Sequence, residues 1–346
     1  MRSVSVVIPC YNYGRFLPDA LSSVLDHQHG VDIRVLIIDD ASNDGSDKIV
    51  ATLANSDSRV EVSAHTSNFG PNATFNEGLL DWASGDYSLL ISADDILTPG
   101  ALKRATDLLD SHPNIGFVHG HTLKFGEGAR LPKPRTNVRG WSVWPGQVWL
   151  EQRFRVPRNL IATPAVVVRT SLQKSIGGYD LRLPHAGDME MWMRLAANAD
   201  VGYLRGVDQA YIRFHGSNMS MSFTPLMDLR QRKLAYETIL DHYGNRMADA
   251  TGLSDIVRRK LSREALWLAA RAYDQGQTKQ TPVHELVGFA LDCWPEAVGL
   301  PLFRTLRLRQ QIGPRAMPYL QPFVLSAFAN KTCRWSRRRF YDTHGI

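Results

Sequence analysis

The sequence predicts an α/β fold: a mainly parallel central sheet with helices on both faces, followed by a helical C-terminal region. Between Ser3 and about Phe125, apolar runs rich in β-branched residues (SVSVVIP, IRVLIID, VEVSA, YSLLIS, GFVHGHTLKF) alternate with segments of helical period (FLPDALSSVL, SDKIVATLA, ATFNEGLLDWA, GALKRATDLLD). Strands joined by crossover helices make a sheet covered on both faces. From about Pro225 onward strand signals fade, while RQRKLAYETILDHY and SREALWLAARAYDQ read as helices. A boundary near residue 224 follows, dividing a domain at 1–224 from a helical region with a basic tail at 225–346.

The punctuation supports the individual elements. Gly85 follows the helix that ends in LLDWAS, and Thr98 with Pro99 fits an N-cap and first helical position for GALKRATDLLD. Residues 126–146, rich in Gly, Pro and Arg, read as one long loop. After it come a strand in ATPAVVVR, a turn at Gly177 to Asp180, a helix in DMEMWMRLAANA and a strand in AYIRFH.

A chain of 346 residues, 44% hydrophobic and 21% charged, buries a large core and is neither disordered nor membrane-spanning by composition. The N-terminus reads as a first strand rather than a signal peptide, so a cytoplasmic location is expected. Three widely spaced cysteines without a Cys-x-x-Cys pair suggest reduced thiols rather than a disulfide framework or zinc site. The net charge of +6 is concentrated at the end. Residues 301–346 hold nine Lys/Arg against one acid, leaving 31 basic and 33 acidic residues before them. No nucleic-acid partner is therefore expected for the main domain.

Open parallel sheets bind ligands outside the carboxyl ends of their strands. There this chain places Pro9-Cys10-Tyr11-Asn12, then Asp39-Asp40 in DDASNDGS, then Asp94-Asp95. Tyr11 offers a flat face and Asn12 an amide, suited to a planar heterocycle, and Asp39 can accept from a base N–H. Paired carboxylates suit Mg²⁺ or Mn²⁺, and with no Gly-rich phosphate loop in the chain a metal would have to neutralise phosphate charge. Each feature also has a plain structural use, in turns and in the first turn of a helix. Glu190 and Arg194, four apart, are expected to pair. Asp188 at the helix start is left either as a cap or free to face a cleft, and His215 as a structural hydrogen-bonder or a ligand.

Taken together, SVVIPCYNYGRFLPDALSSVL, VLIIDDASNDGS, SNFGPNATFNEGL, LLISADDILTPGAL, IGGYD, GDMEMWMRL and IRFHGSNMS resemble, in order, the inverting family 2 glycosyltransferases, over about residues 3–222. Their fold is the Rossmann-like, nucleotide-sugar-binding arrangement called GT-A. The resemblance implies that Pro9, Tyr11, Asn12 and Asp39 hold the nucleobase. It adds Asn76 and Asp94 to donor binding, assigns Asp94, Asp95 and His215 to a Mn²⁺ or Mg²⁺ ion on the diphosphate, and makes Asp188 the general base. A sugar would pass by single displacement from a nucleoside-diphosphate donor, a UDP-sugar first, to the hydroxyl of a glycan, lipid-linked or small-molecule acceptor. Two departures stand out: many members carry Asp-x-Asp-Asp where this chain has Ser92-Ala93-Asp94-Asp95, and an acid where it has Gly187.

The tail, with Lys331, Arg334, Arg337 to Arg339, Trp335, Phe340 and Tyr341 beside an apolar segment, reads first as a packed helix with a solvated basic end, and also suits peripheral contact with an anionic membrane. The competing readings are a non-catalytic nucleotide- or sugar-binding or regulatory α/β domain, and a sugar nucleotidyltransferase. PCYNYGRF lacks the Gly-rich basic loop of the latter.

Overall fold

The structure, a computed structural model, describes residues 2–320 and 345. The tail segment that suits a membrane, and Cys333, lie outside the described residues. The described residues form two compact units, one of residues 2–150, 159–218 and 345, the other of residues 151–158 and 219–320.

In the first unit nine strands make one sheet: β1 (Ser3–Cys10), β2 (Asp32–Asp39), β3 (Val60–Ala64), β4 (Tyr87–Leu90), β5 (Ile96–Leu97), β6 (Ile115–Gly126), β7 (Trp141–Trp144), β8 (Val166–Arg169) and β9 (Asp200–Phe214). Their order is β3-β2-β1-β4-β8-β6-β9-β5, with β7 also paired to β9. The pairs among β3, β2, β1 and β4 are parallel, as is β6 with β9. β8 runs antiparallel to β4 and β6, and β5 and β7 antiparallel to β9. Six strands thus share one direction and three run against it.

The helices in chain order are α1 (Leu17–Leu25), α2 (Ser46–Ser56), α3 (Pro71–Asn76), α4 (Ala101–Ser111), α5 (Gly146–Arg155), α6 (Thr170–Ile176), α7 (Gly187–Ala196), α8 (Pro225–Tyr243), α9 (Ala250–Asp274), α10 (Val283–Cys293), α11 (Pro301–Ile312) and α12 (Met317–Leu320). Val4, Val6 and Ile8 of β1 pack with Val35, Ile37 and Leu89, and with Leu17, Leu21 and Val24 of α1 and Leu102, Ala105 and Leu109 of α4. Val7, Leu36, Ile38 and Leu90 alternate with these and are buried too. The strands read as unbroken apolar runs because both faces are covered, and each such side chain contributes about 1.5–3 kcal/mol.

The segment ATFNEGLLDWA is the end of α3 followed by a π-helical turn at Glu77–Trp82. Gly78 lies against β1: a Cβ there would stand 2.3 Å from Val7 Cγ1. Gly78→Ala is expected to overpack this contact and cost about 1–3 kcal/mol, read as a lower Tm. A wild-type Tm would show that the turn has room to shift.

Three expectations are corrected. The loop at 126–146 contains β7 and is tied to β9: buried Asp208 accepts from the backbone N–H of Arg135 at 2.8 Å and pairs with its guanidinium and with His121 Nδ1 at 2.9 Å. Burial opposes ionisation of Asp208, but Arg135 outweighs it and holds the carboxyl below its ordinary value. The strand expected in AYIRFH is the end of the much longer β9, whose pairing with β6 continues through register shifts. Finally, Thr98 and Pro99 do not open α4. Gly100, with φ +71°, takes the N-cap position; β5 lies just before Thr98, and the buried Thr98 hydroxyl donates to Asp208 O.

The second unit is helical, as expected from about Pro225 onward. Thr224 caps α8 by accepting from the N–H of Met227 at 3.2 Å, and Leu229, Tyr236, Ile239, Leu253, Leu261, Leu266 and Leu286 are buried. Cys10 and Cys293 are free and buried. Among the described residues no helix is long and apolar enough to cross a membrane.

Candidate active site

β1 lies between β2 and β4, so the strand order reverses beside it, the kind of switch point at which parallel sheets bind ligands outside the carboxyl ends of their strands. Pro9 and Cys10 end β1, Asp39 ends β2, and Ser92 to Asp95 form the turn after β4. Among the described residues only Asn12 (φ 60°) and Ala41 (φ 61°) are non-glycines with positive φ, and both stand at this edge. Such backbone strain persists only where its surroundings enforce it. The enforcement is visible: the N–H of Asn12 donates to Ser42 Oγ at 2.8 Å, the Ser42 hydroxyl donates to Asp39, and the N–H of Asn43 donates to Asn12 Oδ1 at 2.8 Å. The Asn12 amide therefore braces two loops together, and Asp39 is buried beneath them. Tyr11, 45% exposed, presents its ring to solvent.

Asp94 and Asp95 are both 6% exposed but face different partners. Asp94 Oδ2 lies 3.0 Å from His215 Nε2 and accepts from Asn218 Nδ2 at 3.1 Å. Asp95 Oδ1 accepts from the N–H of Arg213 at 3.2 Å. Burial, reinforced by the charge of Asp94, pushes the Asp95 carboxyl well above the usual carboxylate range. The Arg213 guanidinium sits 4.8 Å from the ring centres of both Phe16 and Phe125, donating to Asp94 O and to Asp19. Tyr13 and Phe16 flank the His215 ring, at 5.1 and 4.7 Å between centres.

Whether these residues fit a divalent cation can be judged from the donors. No group of three His, Cys, Asp or Glu among the described residues is arranged to hold a metal. Asp94 Oδ2 and His215 Nε2 nevertheless offer two donors at 3.0 Å, and adjacent ligands of an octahedral cation stand roughly 3 Å apart. Two protein donors with the remaining positions left to water and phosphate oxygens suit Mg²⁺ or Mn²⁺. Asp95, aimed at the Arg213 backbone, is not part of that pair.

Asp188 does not cap α7. The N-cap is Ala186, without a side-chain cap, and Asp188 lies in the first turn. Its Oδ1 accepts from the N–H of Met189 at 2.7 Å and its Oδ2 from Asn159 Nδ2 at 2.6 Å. Part of its surface stays accessible, yet burial pushes its carboxyl up to about 6, against the pull of the Met189 N–H and of His185. Glu190 and Arg194 pair at 2.9 Å, as their spacing predicts.

What brings α7 to the strand ends is a chain of contacts through α3. Asp40, the residue after β2, accepts from the N–H groups of Phe69 and Gly70 at 2.8 and 2.9 Å and from His65, which also meets Glu77. Those bonds fix the start of α3. From α3, Asn72 Nδ2 donates to Asp180 O at 2.7 Å and Leu183 O at 3.1 Å, while Asn76 donates to Tyr179 O and accepts from its N–H. Both ends of the Asn76 amide are thus engaged in holding the turn before α7. Gly187 follows from the same packing, since a Cβ there would stand 3.0 Å from Asn72 Nδ2.

His65 and Asn159 gave no local signal as site residues, whereas Asp40 stood at a strand end in DDASNDGS, Asn72 in SNFGPNATFNEGL and Arg213 in IRFHGSNMS, none of them singled out for a role. Asn218 stood in the quoted IRFHGSNMS, where an amide three residues past a histidine could have been read as its partner.

Comparison with known proteins adds to this geometry. Residues 5–171 match the family model for glycosyl transferase family 2. An uncharacterized glycosyltransferase of Nostoc sp. is 32% identical over 116 residues, 34% of this chain and 35% of its own length. Matches to two further curated relatives span 64% and 52% of theirs. Among solved structures, S. aureus TarS 1–349 in complex with UDP-GlcNAc superposes with a TM-score of 0.63 at 20% identity, covering 92% of this chain and 91% of that one. A mannosyltransferase of Pyrobaculum calidifontis in complex with GDP-Man and Mn²⁺ gives 0.53 at 15%, covering 92% and 84%. At these identities the likeness bears on the fold, which is of the GT-A type.

Proposed function

We propose that this chain, whose residues 5–171 match the model for glycosyl transferase family 2, transfers a sugar from a nucleoside-diphosphate sugar to an acceptor hydroxyl, with inversion. What supports the reading is Asp188: a part-accessible carboxylate in the first turn of α7, the turn before which is tied to α3 by Asn72 and Asn76, with its acid strength weakened to about 6. An alcohol is a poor nucleophile at neutral pH, and a base whose pKa lies near the working pH takes its proton most effectively as the new bond forms. With one base and no covalent nucleophile assigned, a single in-line displacement is the economical route.

Donor binding falls in this reading to the edge made by Pro9, Tyr11, Asn12, Asp39 and Asp94. The exposed Tyr11 ring would stack on the base while Asn12 braces the two loops together beside it. A UDP-sugar is the first choice of donor, since the similar TarS carries UDP-GlcNAc. Asp94 and His215 would hold a Mn²⁺ or Mg²⁺ ion, which when bound supplies positive charge to the departing diphosphate. Arg213 and Asn218 keep those two side chains in register. Asn76 enters as a support for the α7 approach rather than through direct donor contact. Residues 1–224 would carry donor binding and catalysis.

Calorimetry with UDP, GDP and TDP, with and without Mn²⁺, tests this directly. Metal-dependent binding of one nucleoside diphosphate is expected. Absence of binding by all three would overturn the reading and return the chain to the non-catalytic class.

A further inference from the structure

Asp188 is held from two sides. The N–H of Met189 approaches Oδ1 from within α7, and Asn159 Nδ2 approaches Oδ2 from a segment 29 residues earlier. Asn159 is not free to turn over, because its Oδ1 accepts from the N–H of Ile161 at 3.1 Å, which leaves the amide nitrogen facing the acid. Although Asn159 is exposed, the backbone that carries it is anchored. Ile161 is 3% exposed, and the turn at Thr163–Ala165 leads straight into β8, paired on both sides in the middle of the sheet.

We propose that Asn159 is the positioning residue of the reaction's base: with the Met189 N–H it sets the plane of the Asp188 carboxylate and keeps one lone pair of each oxygen open to the acceptor hydroxyl. The proposal rests on Asp188 being that base. An ionised carboxylate accepts about four hydrogen bonds, two on each oxygen. One donor on each oxygen therefore fixes orientation without closing the group to substrate. Both donors also favour the charged form. The titratable groups that face Asp188 are His185, whose charge pulls the acid down, and the buried Tyr179, whose phenol is held neutral by burial and by Asp188 itself. Neither of them supplies the Oδ2 contact.

Removing Asn159 takes away a hydrogen bond to a charged acceptor, worth about 1.5–3 kcal/mol, which converts to roughly one to two pH units. The test is a titration of the full chain labelled with ¹³C at the aspartate carboxyl carbon, the Asp188 signal being identified by its loss in Asp188→Asn. In Asn159→Ala the midpoint is expected to move up by about one to two units. Asn159→Asp keeps the shape but sets a second carboxylate against the first, so it should move the midpoint at least as far. The acid limb of nucleoside-diphosphate release, followed with whichever of UDP-GlcNAc, UDP-glucose or GDP-mannose the wild type turns over, should shift in the same direction, with nucleotide Kd unchanged within about twofold. An unmoved midpoint in Asn159→Ala overturns the proposal, whatever Asn159→Asp shows, because a carboxylate at 159 repels Asp188 in either case. If instead Asp188→Asn retains turnover, the base assignment fails, and the proposal with it, even where the Asn159 midpoints move.

Discussion

Asp188→Asn is expected to lower sugar transfer by at least about a hundredfold, the usual scale of losing a general base, while nucleotide Kd stays within about twofold of wild type. Amide replaces carboxylate at nearly constant volume and keeps an acceptor oxygen for one of the two donors, Met189 N–H or Asn159 Nδ2. Wild-type kcat should rise with pH through about 6, where the Asp188 carboxyl loses its proton. Stability should run the other way. Folding raises this acid above its ordinary value of 3.8, so the neutral form is the one the fold favours. Its contribution is complete below about pH 4 and is lost as pH rises through about 6. Asp188→Asn should be level across that window and no less stable than wild type at pH 7. A variant retaining more than about a tenth of the wild-type rate would remove Asp188 from the base role.

Asp94→Asn should abolish most of the metal dependence of nucleotide binding. The substitution keeps a side chain of the same size beside His215 and Asn218 but replaces a charged oxygen donor by a neutral amide. Changes even to the groups that support metal ligands cost about tenfold to a hundredfold in affinity. Loss of the charged donor itself should weaken UDP binding in Mn²⁺ by at least about tenfold, with little change in EDTA. Because the two adjacent acids are buried and the charge of Asp94 disfavours ionisation of Asp95, the melting temperature should hold or rise. A parallel loss of binding and Tm would mean that Asp94 serves the fold rather than the ligand.

Much of the site was legible because its residues are local to strand ends. β1, β2 and β4 declare themselves by unbroken apolar runs, so Tyr11, Asn12, Asp39 and Asp94 could be placed on one edge without coordinates. α7 declares itself by period, which put Glu190 opposite Arg194. The two-residue β5 and four-residue β7 could not be read in this way. Strands this short have no periodicity of their own and exist only by pairing with β9. Thr98 was misread for the same reason: its hydroxyl was free in sequence to cap a helix, and the nearness of Asp208 O, 110 residues away, took it.

The sequence by itself determined the α/β class, the strand ends that line one edge of the sheet, and the acids and aromatics placed there, because side-chain period and turn chemistry act over a few residues. Only the tertiary structure decided which of those groups meet. It parted Asp95 from Asp94, gave Asp94 to His215, engaged Asn76 with Tyr179, and brought Asn159 onto Asp188. Each of those outcomes depends on hydrogen-bond partners contributed by distant segments, and a buried polar group takes whichever partner the packed sheet brings within about 3 Å.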